Sequence, residues 1–366
     1  MSQTQQQQTE AKQKQQGLSE LAKREERTAR WLLLPTFAVI LLIAIYPLGQ
    51  VFVSSFTNAR FAAPDHQTQF IGFQNYSNLL SMTIRELPVE TDDEGNPVIE
   101  DGEVQYENSF RVLPSDPRRY RGVYEFSLFG NRYVLGATNQ NFVRSIWDTV
   151  SLTVIAVFLE TVLGMAIALT LSVKFLGRGV MRAAMLVPWA VITVVSARIW
   201  EWMLEPTRAG FFNAFFDQIG IASGNISFFT NPALQIPSMI AMEVWKTTPF
   251  MALLLLAGLA TIPKELYEAA EVDGATPIRR FFSITLPLVA PTLAVALIFR
   301  TLDSLRIFDA FQVVLGEQRY SMASFAQSML INNSDVGLSS AASVIIFIIV
   351  FSFAILYMRA LGVDTE

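Results

Sequence analysis

Residues Trp31–Phe52 read WLLLPTFAVILLIAIYPLGQVF, a stretch without a single charged side chain. About 20 apolar residues suffice to cross the hydrocarbon core of a bilayer as a helix, which satisfies its backbone groups internally. The composition of the whole chain supports the same interpretation, since 52% of its 366 residues are hydrophobic and only 16% are charged. Soluble domains carry about 25% charged residues. The sequence therefore predicts an all-α integral membrane protein.

Similar apolar runs recur along the chain and predict about six transmembrane helices. Their approximate bounds are 31–53, 149–173, 183–204, 238–260, 285–302 and 341–358. Lys and Arg concentrate in the cytoplasmic tails and short loops of such proteins. With the N-terminus inside, thirteen Lys/Arg lie on inner segments: Lys12, Lys14, Lys23, Arg24, Arg27, Arg30, Lys174, Arg178, Arg182, Lys264, Arg279, Arg280 and Arg359. Only Arg208, Arg306 and Arg319 lie in short outer loops, so both termini are predicted to be cytoplasmic.

The remaining segments divide the chain into regions. Residues 1–30 are Gln-rich and then charged, which predicts a disordered cytoplasmic tail with an amphipathic surface helix from Ser19 to Arg30. Residues 54–147 are acidic and are predicted to form an extracytoplasmic insertion between the first two spans. This insertion is either a small folded domain or a partly ordered loop, with a short β-like run at Arg132–Leu135. Residues 148–362 contain the other spans and form the transmembrane core.

Composition excludes several classes of protein. There is no cysteine, and His66 has no second histidine with which to share a metal, so no metal site is predicted. The net charge of −5 argues against nucleic-acid binding. No G-x-x-x-x-G-K-[ST] phosphate loop and no catalytic constellation occur, so the chain is predicted not to be an enzyme and to bind no cofactor.

The loop between the fourth and fifth spans, residues 263–287, carries the most specific pattern. Pro263 and Lys264 begin a predicted helix of good helix formers, which Gly274 ends in a C-cap position. A second short helix is predicted to start near Pro277. Ala269 and Ala270 form a small surface that lets another backbone approach closely. On physical grounds alone, this is a helix–turn–helix on the inner face of the membrane.

The same loop resembles the signature of permease subunits in binding-protein-dependent ABC importers. Its anchors are E-A-A, three residues, G, nine residues and I-x-L-P, met by Glu268, Ala269, Ala270, Gly274, Ile284, Leu286 and Pro287. The resemblance implies that the first helix couples to a cytoplasmic ATPase through Glu268, Ala269, Ala270, Asp273 and Gly274. It also implies a bacterial inner-membrane location and, as partners, a second homologous permease, two ABC ATPase subunits that bind ATP and Mg²⁺, an extracytoplasmic sugar-binding protein and membrane lipid.

The resemblance extends over roughly residues 30–60 and 140–360. The third-span region resembles carbohydrate-type permeases, and residues 299–309 resemble trehalose- and maltose-type subunits in particular. The resemblance therefore implies a disaccharide as the transported solute. One departure is Leu315-Gly316-Glu317-Gln318, where many relatives carry Gly-Gly-Pro.

Charged side chains inside the spans indicate where a solute would pass, because they normally face a cavity or a partner. In the sugar-importer family the matching faces of the fourth and fifth spans line the substrate cavity. The resemblance thus implies a substrate-binding set of Glu243, Lys246, Thr247, Phe250, Arg300, Asp303 and Ser304. Local ion pairs three residues apart are the alternative for Glu243 with Lys246 and for Arg300 with Asp303. Arg198 and Glu201 are predicted to pair near the outer mouth, and the role of Glu160 stays open.

Three other functions remain as alternatives. The first is an ABC importer permease for another solute, such as glycerol phosphate or an oligosaccharide. The second is a secondary transporter that uses the intramembrane charges to couple to an ion gradient. The third is a non-transporting receptor whose acidic insertion binds a partner, although this would leave the charged faces of the spans without a role.

Overall fold

The computed structural model describes residues 20–92, 94–100, 103–220 and 225–360. Within these ranges, five helices are long and apolar enough to cross a membrane, and a bent pair of helices makes a sixth span if its halves are counted together. The predicted all-α membrane fold with about six spans is thereby confirmed. The chain consists of two compact units, residues 1–54 and residues 55–366.

The first unit contains one long apolar helical run. Helix α1 (Glu20–Ile40) continues through a π-helical turn (Leu41–Ile45) into helix α2 (Tyr46–Ser54). Its apolar side chains are exposed, which is typical of a helix surrounded by lipid. The described part of the predicted helix up to Arg30 is helical, and it continues without a break into the apolar run, because no Gly or Pro ends α1 before the span begins. Residues 1–19 of the predicted tail lie outside the described residues.

The second unit holds the remaining helices. They are α3 (Gln74–Leu80), α4 (Ser109–Val112), α5 (Gln140–Ser172), α6 (Arg178–Met185), α7 (Val187–Ala190), α8 (Thr193–Met203), α9 (Phe211–Gln218), α10 (Pro232–Leu259), α11 (Lys264–Val272), α12 (Pro277–Arg280), α13 (Leu286–Ser304) after a π-helical turn (Phe281–Thr285), α14 (Asp309–Val314), α15 (Met322–Ile331) and α16 (Val336–Ala360). Helix α5 begins well before the predicted bound of 149, because the Asn139 side chain accepts a hydrogen bond from the Phe142 N–H and caps it.

The predicted third span, 183–204, is not one straight helix. It consists of α6 and α7, followed by α8, with a bend of 92° at the break. Val191 and Ile192 lie at this break and adopt extended backbone angles. Both are β-branched, and such side chains lose rotamer freedom in a helix. The apolar run is therefore long enough to cross the membrane, but Val191 and Ile192 interrupt its helix.

The insertion between the first two spans contains a three-stranded antiparallel sheet in the order β1-β5-β4 and a two-stranded ribbon of β2 and β3. The strands are β1 (Met82–Leu87), β2 (Ile99–Glu100), β3 (Glu103–Val104), β4 (Arg121–Leu128) and β5 (Asn131–Ala137). Phe129 and Gly130 both have positive φ in the tight turn between β4 and β5, as a type I′ hairpin requires. Leu87, Leu113 and Val134 form a small core on the sheet. The β-like run Arg132–Leu135 lies within β5.

A buried ion pair ties this sheet to the helices. Arg319, in the loop before α15, donates to both oxygens of Asp148 on α5 at 2.5 and 2.6 Å. Arg319 also donates to the Pro232 carbonyl at the start of α10 at 2.7 Å. Tyr124 of β4 donates to Asp148 at 3.2 Å. Burial, aided by the Asp148 charge, raises the pKa of the Tyr124 hydroxyl to about 12, so the hydroxyl keeps its proton at neutral pH.

Helices α5 and α10 pack closely along the centre of the second unit. A Cβ on Gly164 would lie 2.8 Å from Met251 Cγ and 3.1 Å from the Ala252 backbone nitrogen, so only glycine permits this approach. Met165, Met251 and Leu255 fill the surrounding core. Because the two helices pack so closely, the polar side chains that lie one or two turns before these residues on each helix can contact each other.

Candidate functional site

The polar centre of the second unit is a cluster around Arg300, where α5, α10 and α13 meet. Arg300 Nε donates to Glu160 Oε2 at 2.8 Å, and Arg300 Nη2 donates to Glu160 Oε1 at 3.0 Å. Arg300 Nη2 also lies 3.0 Å from Glu243 Oε1, and Nη1 bonds Asp303. Thr247 Oγ1 lies 2.6 Å from Glu160 Oε1. We call these five residues the Arg300 cluster.

Burial explains why the Arg300 cluster has so many bonds. The Arg300 side chain is 2% exposed and Glu160 is fully buried, whereas Asp303 is 54% exposed. Removing charges from water is costly, and only close pairing with further hydrogen bonds offsets it. A planar guanidinium offers donors in several directions, so one arginine can satisfy carboxylates from three helices at once. The cluster therefore fixes the relative positions of α5, α10 and α13.

Beside the cluster lies a cavity of about 380 Å³. Its lining residues are Trp189, Thr193, Glu243, Lys246, Thr247, Phe250, Phe299, Arg300, Asp303, Arg306, Ile307, Phe308 and Asp309. Three of them are acidic and three are basic, so the charges of the wall balance. The Phe250 ring stacks on Trp189 at a centroid distance of 5.4 Å and contacts Phe299 at the same distance. The cavity thus combines donors, acceptors and flat apolar surface. We call it the central cavity.

The structure brings six of the seven predicted substrate-binding residues to the central cavity. The exception is Ser304, which is buried and lies 3.1 Å from Thr153 Oγ1 on α5. The alternative of a local Glu243–Lys246 pair is not realised, because Glu243 bonds Arg300 and Lys246 forms no ion pair within the described part of the chain. Arg300 and Asp303 do pair, as do Arg198 and Glu201 at 2.5 Å.

Sequence reasoning missed several residues of this site. Glu160 is the principal partner of Arg300, and its signal was a single carboxylate in an otherwise apolar span, which demands a partner. That partner lies 140 residues away, so sequence spacing alone did not identify it. Trp189 and Phe299 were missed because an aromatic residue in an apolar span has no feature that distinguishes a cavity wall from a lipid-facing side.

The predicted helix–turn–helix lies at residues 264–280. Helix α11 ends in a Schellman motif, in which the Gly274 N–H donates to the Glu271 carbonyl at 3.0 Å and the Ala275 N–H donates to the Ala270 carbonyl at 2.9 Å. Gly274 has φ +74°, which a residue with a Cβ rarely adopts. Thr276 caps α12, and Pro277 occupies its first turn.

The predicted coupling residues of α11 present an open surface. Glu268, Ala269, Asp273 and Gly274 are exposed, and Ala270 is half-buried. No ion pair of Glu268 or Asp273 is found among the described residues. Tyr267 holds the helix from its other side, since its hydroxyl lies 2.9 Å from Thr285 Oγ1. Both charges are therefore available to a group outside this chain.

Comparison with known proteins finds a family model and relatives that are all described as parts of transport systems. The family model described as "binding-protein-dependent transport system inner membrane component" matches residues 160–362, more than half of the chain. The trehalose/maltose transport system permease protein of Thermococcus litoralis is 43% identical over 230 residues, 62% of this chain and 77% of that protein. The trehalose transport system permease protein of Mycobacterium tuberculosis is 39% identical over 220 residues, 58% of this chain and 68% of that protein.

One solved structure has the same fold. It is a bacterial ABC transporter involved in the import of the acidic polysaccharide alginate, and it superposes with a TM-score of 0.67 at 19% identity, covering 95% of this chain and 100% of the matched chain. At that identity the similarity concerns the fold alone. The family match and the two sequence relatives carry the assignment: the chain belongs to the family of inner membrane components of binding-protein-dependent transport systems.

Proposed function

We propose that this chain is the permease subunit of an ATP-driven importer for a disaccharide of the maltose or trehalose type, and that it forms half of the translocation pore. The protein lies in the bacterial inner membrane with both termini in the cytoplasm. Its partners are a second homologous permease, two cytoplasmic ATPase subunits and an extracytoplasmic sugar-binding protein. The two relatives named for trehalose or maltose transport support the choice of solute.

The observation that carries the proposal is the central cavity. Its volume of about 380 Å³ falls within the roughly 300–1,000 Å³ of small-molecule sites. A sugar hydroxyl both donates and accepts, and the wall offers acceptors at Asp303 and a donor at Lys246. The flat face of Phe250 suits the C–H face of a pyranose ring. Because the acids and bases of the wall balance, a neutral solute fits this cavity better than an ion.

Arg300 takes a different part in this proposal. Its donors are already bonded to three carboxylates, so it contributes little free bonding capacity to a sugar. Its role is to hold Glu243 and Asp303 in place on the wall. Lys246, Phe250 and Asp303 are then the side chains that touch the sugar, and Ser304 is not among them.

The second part of the proposal is coupling to ATP hydrolysis. The chain has no phosphate loop, so ATP and Mg²⁺ bind to the partner ATPase subunits and hydrolysis takes place there. Helix α11 docks into the ATPase through Glu268, Ala269, Ala270, Asp273 and Gly274. Closure of the ATPase subunits on ATP moves α11 and α12 and turns the central cavity outward, and reopening after hydrolysis turns it inward. The open surface of α11 supports this step.

The test is transport by the reconstituted complex in proteoliposomes. Trehalose or maltose, delivered with the sugar-binding protein, is expected to stimulate ATP hydrolysis and to accumulate inside, while glycerol phosphate is not. Asp303→Ala is expected to abolish the stimulation, and Asp65→Ala, at an exposed carboxylate that does not line the cavity, serves as a matched control. Stimulation by glycerol phosphate alone would replace the disaccharide with another solute. Uptake that needs an ion gradient and persists without ATP would favour a secondary transporter.

A further inference from the structure

A second cavity of about 380 Å³ lies at the other end of the spans from the β-sheet insertion. It is bounded by the ends of α5 and α10 and by the beginnings of α6 and α11. Its polar lining consists of Arg178, Arg182, Lys264, Ser172, Tyr267 and Thr285. The transport mechanism proposed above uses none of the three basic residues. We call this space the basal cavity.

The charges of the basal cavity do not balance. Three bases line it, and none of the described residues in its wall is acidic. The Nε atoms of Arg178 and Arg182 are buried and have no hydrogen-bond partner among the described residues, whereas Arg182 Nη2 donates to the Leu171 carbonyl at 3.2 Å. Buried polar groups are nearly always paired, so such atoms require an explanation. The Arg300 cluster, in which each guanidinium nitrogen has a carboxylate, shows the arrangement that is missing here.

The start of α11 adds further donors at the same place. Lys264 is its first residue, and the preceding Pro263 provides no side-chain cap for the first backbone N–H groups. The N-terminus of a helix carries a partial positive charge and binds anions when basic side chains converge on it. Ser172, Tyr267 and Thr285 supply hydroxyls. Together these groups suit an oxyanion with several acceptor oxygens, such as a phosphate.

The other wall of the basal cavity is apolar, and this indicates the source of the phosphate. Leu169, Leu256, Leu259 and Ile262 line it. Val180 and Met181, between the two arginines on α6, are 75% and 44% exposed. Basic pockets between transmembrane helices on the cytoplasmic side bind the head groups of anionic lipids. We propose that the basal cavity binds one anionic phospholipid. Its phosphate lies between Arg178 and Arg182, and one acyl chain lies along the apolar wall formed by Leu169, Leu256, Leu259 and Ile262.

Titration of the full-length chain in detergent with phosphatidylglycerol, followed by native mass spectrometry, tests this proposal. The double variant Arg178→Gln/Arg182→Gln is expected to bind the lipid about 30-fold more weakly than wild type. Lys174→Gln/Arg279→Gln makes the same charge change at exposed residues outside the cavity and is expected to bind like wild type. Arg178→Lys/Arg182→Lys is expected to restore binding, which separates the loss of charge from a failure to fold.

Two further ligands identify the source of the anion. Phosphatidylcholine, which carries a phosphate but no net charge, is expected to bind more weakly than phosphatidylglycerol and to lose less affinity than phosphatidylglycerol in the Gln double variant. Millimolar inorganic phosphate is expected not to displace phosphatidylglycerol; displacement would assign the cavity to a small anion and overturn the lipid. Equal phosphatidylglycerol affinity in the Gln double variant and its control would also overturn the proposal. The result is independent of which solute the protein transports.

Discussion

The Arg300 cluster and the surface of α11 differ in whether their charged side chains have partners within this chain. In the cluster, an arginine that is 2% exposed bonds Glu160, Glu243 and Asp303, so the charges are satisfied within this chain. On α11, Glu268 and Asp273 are exposed and form no ion pair among the described residues. The first region stabilises the fold, and the second is the exposed surface that we propose to bind the ATPase. We therefore expect substitutions of the buried Arg300 and Glu160 to lower stability, and substitutions on the surface of α11 to affect transport.

The largest effect is expected from Arg300→Met. This change leaves Glu160 fully buried without its cation, and breaking a buried pair typically lowers the free energy of unfolding by about 3–5 kcal/mol. The unfolding midpoint of the detergent-solubilised protein, followed by tryptophan fluorescence, measures it. Arg306→Met is the matched control, because Arg306 lines the same cavity but is exposed. Equal midpoints for the two variants would mean that the cluster does not hold the helices together.

A smaller loss is expected from Thr247→Val, which keeps the side-chain shape and removes one hydroxyl. The hydroxyl lies 2.6 Å from both Glu160 Oε1 and the Glu243 carbonyl oxygen, and the loss of its one donated hydrogen bond costs about 1–2 kcal/mol. The same unfolding measurement applies. Thr193→Val is the control, since Thr193 lines the central cavity without a side-chain hydrogen bond among the described residues. If both valine variants unfold alike, the Thr247 hydroxyl is not part of the cluster.

Gly274→Asp should separate stability from transport. A Cβ at residue 274 meets no atom within 4 Å, so the only penalty is the positive φ, about 1 kcal/mol. Transport is nevertheless expected to be abolished, because the turn between α11 and α12 is part of the surface that we propose to dock into the ATPase. Gly220→Asp, at φ +72° and in equally open space, is expected to lose the same stability and retain transport. Normal sugar uptake by the Gly274→Asp variant in cells would disprove the coupling role of this turn.

The smallest effect on stability is expected from Glu268→Arg. An exposed side chain without a partner in the chain changes the free energy of unfolding by no more than about 0.5 kcal/mol. Sugar-stimulated ATP hydrolysis by the complex is expected to disappear, because the substitution reverses the charge of a residue through which α11 is proposed to dock into the ATPase. Glu90→Arg reverses a charge on the exposed face of the β-sheet insertion and should leave hydrolysis unchanged. Hydrolysis at the wild-type rate in Glu268→Arg would exclude α11 as the site of coupling.

Local signals predicted the elements of the fold well. Helix α11, its end at Gly274 and the restart at Pro277 follow from capping and backbone preferences, which act over a few residues. The transmembrane spans were predictable from the lengths of the apolar runs. The bend of the third span was not predicted, because apolar length says nothing about the extended Val191–Ile192 break. Side-chain partners were the weakest point: the pairing of Glu160 with Arg300 was not predicted, and a local Glu243–Lys246 pair stayed open as an alternative.

The amino-acid sequence by itself determined that this chain crosses the membrane and that one loop carries the importer signature, because apolar runs and helix ends depend on neighbouring residues. Only the tertiary structure decided which charge meets which. Glu160, Glu243 and Arg300 come from three helices, and the close approach at Gly164 is what brings two of those helices within reach. A buried charge takes the partner that packing offers, and packing depends on residues far apart in the chain.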